Sequence, residues 1–477
     1  MEDISNMQSV YHPRRPYDSP LWRLLDNHYE NFECCYEERF EQKYGFFRPI
    51  VGEVVRNYLT CGDLKNGFAR VRCSDCSKEY LLAFSCKGRW FCPSCHAKKV
   101  VQFGDVLNET ILYPVPHRHY VFSIPIMLRI YFKHDRALLT KLCRCAYDSL
   151  LIFLQNVIGL QDGVPGVVLS IHTFGDYPEK FHPHIHAIAS DGLFRKTGAF
   201  YVMPDVELKP LEEIFRLKVF RMLKEEGKID DDIIKKLMHW RHSGFSVHNK
   251  ARVAKDDEKG RVALAQYIIR NAFSLEKLTY NQEAGTVIYR SKMTSGKNGI
   301  LHKFSTGFQV YTAEEFIAAI TQHIPEKSFQ MVRYYGWYSN KSRGLREKQG
   351  NLTPDDQPLD NTDEAIEIID VFEYQPRRIP SKQWRDCIKK IYEADPLCCP
   401  KCGGEMKIIS FITDQQVIRQ ILKHLGLWTP APSRDPPNTS SSLKNYEPVY
   451  EFFDDLSAFN EQADGWPGYD ESCVAQN

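Results

Sequence analysis

An α+β protein with cysteine-clasped modules is what three features of this sequence predict. They are a strand carrying histidines two apart, strand-like and helix-like runs alternating around it, and cysteines grouped in Cys-x-x-Cys pairs. On an extended strand, side chains two apart share a face. In His182-Pro183-His184-Ile185-His186-Ala187-Ile188-Ala189 the imidazoles of His184 and His186 therefore stand side by side, while Ile185, Ala187 and Ala189 face a core. Asp191-Gly192 supplies the closing turn. Upstream, His119-Tyr120-Val121-Phe122-Ser123-Ile124-Pro125 reads as a strand stopped by proline. An amphipathic helix follows over 136–157, with Leu138, Leu139, Leu142, Ala146, Leu150 and Phe153 on one side and Cys143 and Cys145 as packed thiols. The next strand is 167–174. Strand, helix, strand, strand opens a ferredoxin-like antiparallel sheet. A second helix spans 207–226 before Gly227, a short strand 245–248, and a third helix 258–273.

The cysteines bound the compartment. Fifteen of them, with mixed charged and aromatic residues instead of an apolar leader over the first forty positions, predict a cytoplasmic protein whose thiols are free or hold metal. No run reaches the roughly eighteen apolar residues of a membrane span, so no membrane partner is expected. A net charge of +1 does not by itself announce a nucleic-acid binder. Cys73-Ser-Asp-Cys76 and Cys92-Pro-Ser-Cys95 can each grip one side of a tetrahedral ion, which predicts one structural Zn2+ shared between them. Cys61 and Cys86 are spare on this reading. Lys87, Arg89, Lys98 and Lys99 surround the module with charge suited to phosphates. Cys398, Cys399 and Cys402 form half of a zinc ribbon without its partner half, and Cys387 is a candidate third ligand there. The chain then divides into a helical region 1–60, a zinc module 61–112, a sheet domain 113–275, a basic-aromatic extension 276–346, a linker 347–380, a small cysteine module 381–428 and a disordered acidic tail 429–477.

The chemistry gathers on two stretches. Imidazole suits Zn, Mn, Fe or Cu, and with oxygen ligands and water it also holds the Mg2+ or Mn2+ of phosphoryl transfer. A row of merely hydrogen-bonded histidines is the plain alternative. On the helix from 258, Tyr267, Arg270 and Asn271 fall on one face at i, i+3 and i+4. A metal pair and a phenol are the minimum for metal-assisted attack on a phosphodiester, with the phenol oxygen as nucleophile. A free phenol has a pKa of about 10, so it needs a nearby cation, and Arg270 is the candidate. Beyond it, Lys277, Arg290, Lys292, Lys297, His302 and Lys303, then Arg333-Tyr334-Tyr335-Gly336-Trp337-Tyr338, interleave base with ring, which suits a groove for single-stranded DNA.

His-hydrophobic-His on a strand, the upstream Tyr120-Val121-Phe122-Ser123-Ile124-Pro125 strand and a later helix with Tyr267 resemble the HUH endonucleases. The cysteine module ahead of them, with Phe181-His182-Pro183-His184-Ile185-His186 and Ala265-Gln266-Tyr267-Ile268-Ile269-Arg270, resembles more narrowly the rolling-circle transposases of the insertion-sequence ninety-one family. The resemblance implies a transposase that nicks one strand at an element's end, forms a 5′-phosphotyrosine and passes a single strand to target DNA. It implies His184 and His186 as the metal pair, Tyr267 as nucleophile, and a third ligand for which Asn271, His172 and His182 compete. Relatives commonly carry two tyrosines four apart, whereas Ala263 and Asn271 flank Tyr267 at that distance. Either a homodimer supplies the second phenol or single transfers follow in sequence. A replication initiator or relaxase, and a zinc-dependent single-strand binder with a decayed site, are the competing readings.

Overall fold

The computed structural model describes residues 16–88, 90–240, 242–290, 307–349, 366–376, 384–392 and 395–428. The expected linker lies largely, and the acidic tail wholly, outside the described residues, as do Arg89, Lys292, Lys297, His302 and Lys303. From the N-terminus the chain runs through helices α1 (Pro20–Cys34) and α2 (Pro49–Leu59), strands β1 (Phe68–Cys73) and β2 (Glu79–Ala83), and helix α3 (Pro93–Val106). Then come β3 (His117–Ser123), α4 (Leu138–Ile158), β4 (Gly166–Phe174), β5 (Phe181–Ser190), α5 (Lys209–Glu225), β6 (Ser246–Val253) and α6 (Glu258–Tyr267). Strands β7 (Leu278–Asn281), β8 (Thr286–Arg290) and β9 (Phe308–Thr312) precede α7 (Ala313–Thr321), β10 (Val332–Gly336), α8 (Trp384–Tyr392), β11 (Met406–Ile412) and α9 (Gln415–His424).

The central sheet is antiparallel throughout, in the order β10-β4-β5-β3-β6. Strand β4 is buried at every position because helices cover both faces. On one face Phe122, Leu169, Ile171, Ile185, Ala187 and Ala189 pack against Leu142, Ala146 and Leu150 of α4 and Phe215 and Val219 of α5. Each fully buried large side chain there contributes roughly 1.5–3 kcal/mol. On the other face Val168 and Ile188 meet Leu264, Ala265 and Ile268 at the end of α6, with Leu107 beyond α3. Helix α4 stops where Gly159 takes the left-handed conformation, φ +76°. Gly104 brings α3 and α6 together, since a Cβ there would stand 3.0 Å from Gln266 Cγ.

Several expectations change. Helix α3 begins at Pro93, because a proline is tolerated in a first helical turn. Strand β6 runs on to Val253 because it pairs along β3. Helix α6 ends at Tyr267 rather than near Phe273, which leaves Asn271 off the helix. Arg333-Tyr334-Tyr335-Gly336 is the edge strand β10, paired with β4, rather than an open groove. Tyr335 stacks on Tyr147 at 4.9 Å, Trp337 is buried, and the Tyr338 hydroxyl meets His117 Nε2 at 2.8 Å. An edge position rewards rings and β-branched side chains for packing reasons alone.

The cysteine modules change most. Strand β1 pairs with β2 on one side and β11 on the other, with Cys73 opposite Met406, so residues near 70 and near 400 build a single ribbon. Helix α8 is tied to α3 where the Lys390 ammonium donates to Asp105 at 2.6 Å. Helices α1, α2 and α7 and the sheet β9-β8-β7 share a separate core that also takes in Cys61, Cys92 and Cys95. Among the described residues no helix is long and apolar enough to cross a membrane.

Candidate active site and zinc centres

The alternation along β5 places His184 and His186 on the α6 face, and the register sets His172 of β4 directly opposite His184. All three imidazoles are buried, and their ligand atoms lie within 4.8 Å of one another. The hydrogen bonds choose the tautomers. His184 Nδ1 donates to the His182 carbonyl at 2.8 Å, which leaves Nε2 as a lone pair. His172 Nε2 donates to the Ile268 carbonyl at 2.7 Å, and its Nδ1 is buried with no hydrogen-bond partner among the described residues. The Nε2 atoms of His184 and His186 are 3.1 Å apart. Two ligands at about 2.0–2.1 Å from one ion stand roughly 3 Å from each other, so the spacing fits a shared cation. Burial disfavours the imidazolium: it holds His184 down to about 3, and His172 and His186 well below the usual histidine value. The donor set is thus three neutral nitrogens, suited to a divalent metal.

His119, which sequence reasoning left without a role, completes the group. Its Nε2 lies 2.9 Å from His186 Nδ1, and its ring stacks on His186 at 5.1 Å. A partner on the second nitrogen fixes a ligand's tautomer and direction. The only sequence signal was its place at the head of the neighbouring strand.

The phenol comes to the same place from α6. Asp257 caps that helix by accepting from the Gly260 amide at 2.7 Å, and ten residues later Tyr267 is its last residue. The Tyr267 ring stands edge-on to His186 at 5.6 Å and to His119 at 5.7 Å. The Arg270 guanidinium lies 5.1 Å from the centre of that ring. Helix α6 stops here because the next two carbonyls are taken. Ile268 accepts from His172, as above, and Ile269 accepts from His96 Nε2 at 2.6 Å. His96 directly follows Cys95, its Nδ1 accepts from the Trp90 amide at 3.2 Å, and burial holds it to about 4, so it is a neutral donor. Replacing His96 with Ala leaves the Ile269 carbonyl buried and unmatched, at a cost of about 1–3 kcal/mol. The expected result is a lower melting temperature with zinc content unchanged, measured by thermal denaturation and metal analysis.

Asn271 behaves differently from the histidines. Its Oδ1 accepts from the Ala272 amide at 2.9 Å, and it lines a cleft beside the zinc-clasped segment. The structure gathers His172 with His184 and His186 into the three-nitrogen group.

The cysteines form two four-thiol groups instead of one. Cys61, Cys86, Cys92 and Cys95 make the first, with Sγ atoms 3.9 Å apart for Cys61 and Cys92 and 3.7 Å for Cys86 and Cys95. Cys73, Cys76, Cys399 and Cys402 make the second, with 3.5 Å between Cys73 and Cys402 and between Cys76 and Cys399. Four sulfurs at about 2.3 Å from an ion sit a little under 4 Å apart, so both groups fit structural Zn2+. The expected sharing of one ion by Cys73, Cys76, Cys92 and Cys95 is therefore corrected, because β11 brings Cys399 and Cys402 to the first pair. Cys61 and Cys86 belong to the first group rather than standing spare, and Cys387 is a buried thiol outside both groups. Burial raises the Cys399 thiol, but amide N–H groups of Lys401 and Cys402 outweigh it and bring it to about 6.

Comparison with known proteins gives a consistent result. Residues 166–345 match the family model described as a putative transposase, and residues 31–124 match a transposase zinc-binding domain. The transposase for insertion sequence element IS801 of Pseudomonas savastanoi pv. phaseolicola is 26% identical over 418 residues, 84% of this chain and 93% of that protein. The putative transposase y4qJ of Sinorhizobium fredii is 23% identical over 290 residues, 57% of this chain and 70% of that protein. No solved structure matches.

Proposed function

Since this chain is a transposase of the insertion-sequence ninety-one family, we propose that it cuts and transfers single-stranded DNA through a covalent bond to Tyr267. The observation that carries this reading is the meeting of the Tyr267 ring with His186 and His119 over a three-imidazole cluster. The strand order β4-β5-β3-β6, with α4 and α5 as crossovers, supports a ferredoxin-like HUH domain.

The reaction balances simply. The Tyr267 Oη attacks the phosphorus of one phosphodiester, and the bond from phosphorus to the 3′ oxygen breaks. That oxygen gains a proton and leaves as a 3′-OH, while the phenol's proton passes to solvent. Arg270, beside the ring, stabilises the negative charge growing on the phenol oxygen. His172, His184 and His186 would hold Mg2+ or Mn2+, whose chemistry is to draw charge from the phosphate oxygens as a Lewis acid. His119 and the His182 carbonyl keep the ligand rings aimed, and His96 and His172 fix the turn that follows the phenol. The phosphotyrosine conserves the energy of the broken bond, so attack by another 3′-OH restores a DNA strand without ATP. With one tyrosine nucleophile per chain, two strands are held either by a homodimer or in succession.

The test uses single-stranded oligonucleotides copied from the DNA bordering the reading frame, labelled at either end, with Mn2+ or Mg2+. An adduct that survives detergent and maps to the peptide bearing Tyr267 is expected. Strands that are retarded but never cut would leave a zinc-dependent binding protein, and cutting without an adduct would discard the phenol as nucleophile.

A further inference from the structure

Between the zinc-clasped segment and the turn after Tyr267 lies a cleft of about 470 Å3, within the size range of ligand sites. His96, Phe174, Arg270, Asn271, Phe273 and Tyr289 are among its walls. Two of these present buried hydrogen-bond donors that find no acceptor among the described residues: Arg270 Nε and Asn271 Nδ2. The Asn271 orientation is fixed, because its Oδ1 already accepts from the Ala272 amide, so the carboxamide can only donate into the cleft. The Arg270 guanidinium is held between two rings, 5.1 Å from the centre of Tyr267 and 5.7 Å from that of Phe174. Buried donors without acceptors are costly, which calls for an acceptor-bearing occupant. Asp176 stands exposed at the lip and repels a free phosphate, whereas a nucleobase carries a flat apolar face and acceptor atoms on one edge.

We propose that this cleft receives one unpaired base of the DNA strand, next to the phosphate that Tyr267 attacks. A ring nitrogen or carbonyl oxygen of the base accepts from Asn271 and Arg270, which makes Asn271 a specificity-determining residue. The inference rests on the reading of Tyr267 as nucleophile for its position along the strand, but not for the recognition itself. Arg270 and Asn271, which line the cleft, lie three and four positions beyond Tyr267 in sequence, so only a base close to the cut can reach them.

The experiment selects bound strands from a single-stranded DNA library with random bases, using the zinc-loaded full chain carrying Tyr267→Phe so that nothing is cut. The same selection is run with Asn271→Ala and Asn271→Asp added. The expected result is one position at which the Tyr267→Phe protein favours particular bases by about tenfold. Asn271→Ala flattens that preference, and Asn271→Asp, which accepts where asparagine donated, shifts it toward the amino-bearing edges of adenine and cytosine. Melting curves and zinc content keep a folding defect distinct from lost recognition. Identical base rankings in all three proteins would overturn the proposal, as would a preferred position remote from the mapped adduct. Failure of the wild-type chain to form any adduct would count against the phosphotyrosine reading alone, since the selection reads the cleft without cleavage.

Discussion

Tyr267→Phe should retain DNA binding while cleavage falls below about one-thousandth of the wild-type rate, a loss of more than about 4 kcal/mol of transition-state stabilisation. The ring packs edge-on against His186 and His119, and phenylalanine keeps those contacts. Only the oxygen proposed to attack is removed. His184→Ala should be as severe by a different route, because it deletes a nitrogen 3.1 Å from that of His186 and would leave a bound metal two of the three proposed nitrogen ligands. The two defects separate on titration: excess Mn2+ should partly restore the histidine variant and leave Tyr267→Phe inactive. Acidity supplies a further check with a definite sign. Burial lowers His184 to about 3, so this nitrogen stays unprotonated well below the ordinary histidine value near 6.5. Metal-dependent cleavage should therefore persist toward pH 5, measured by initial rates across pH at saturating metal. A sharp loss between pH 7 and 6 would show that the imidazoles titrate as exposed groups do, and the metal-site geometry would have to be abandoned.

The second large effect concerns zinc. Cys399→Ser combined with Cys402→Ser should lower bound zinc from two ions per chain to one and release the segment from α8 through α9. Structural zinc contributes apparent free energies of about 10–16 kcal/mol in small modules. Among the described residues the ribbon buries Val71, Cys73, Cys399 and Met406 in one small cluster, and Phe68 with Ile418 and Leu422 of α9 in another. Limited proteolysis should then cut the C-terminal segment while the sheet domain survives. Cys61→Ser should do wider damage, because Cys61, Cys92 and Cys95 belong to the core that joins α1, α2 and α7. Equal protease resistance of the double variant and the wild type would show that β11 is held by packing rather than by metal.

The parts of this arrangement that were legible in the sequence are those with a local period. His184 and His186 repeat every two residues, and a strand must put them on one face. Leu142, Ala146, Leu150 and Phe153 repeat at helical spacing, and α4 buries them. What escaped depended on distant partners. Neighbouring Cys-x-x-Cys pairs suggest a shared ion, yet the ladder between β1 and β11 decides otherwise, and nothing local to Cys73 announces a strand at Met406. The end of α6 was hidden similarly: Ile268, Ile269 and Phe273 continue an apolar helical pattern, but His172 and His96 capture the carbonyls that would have extended it. The rings from Tyr334 to Tyr338 were ambiguous from composition, since aromatic residues suit a nucleic-acid groove and a packed sheet edge equally.

The sulfurs of Cys73 and Cys402 meet across 329 positions of sequence. A growing polypeptide therefore holds an unfinished metal clasp through most of its synthesis, and the ribosome must deliver the far cysteines before the early strand is secured. Products of premature termination or frameshift upstream of β11 would expose Cys73 and Cys76 without their counterparts.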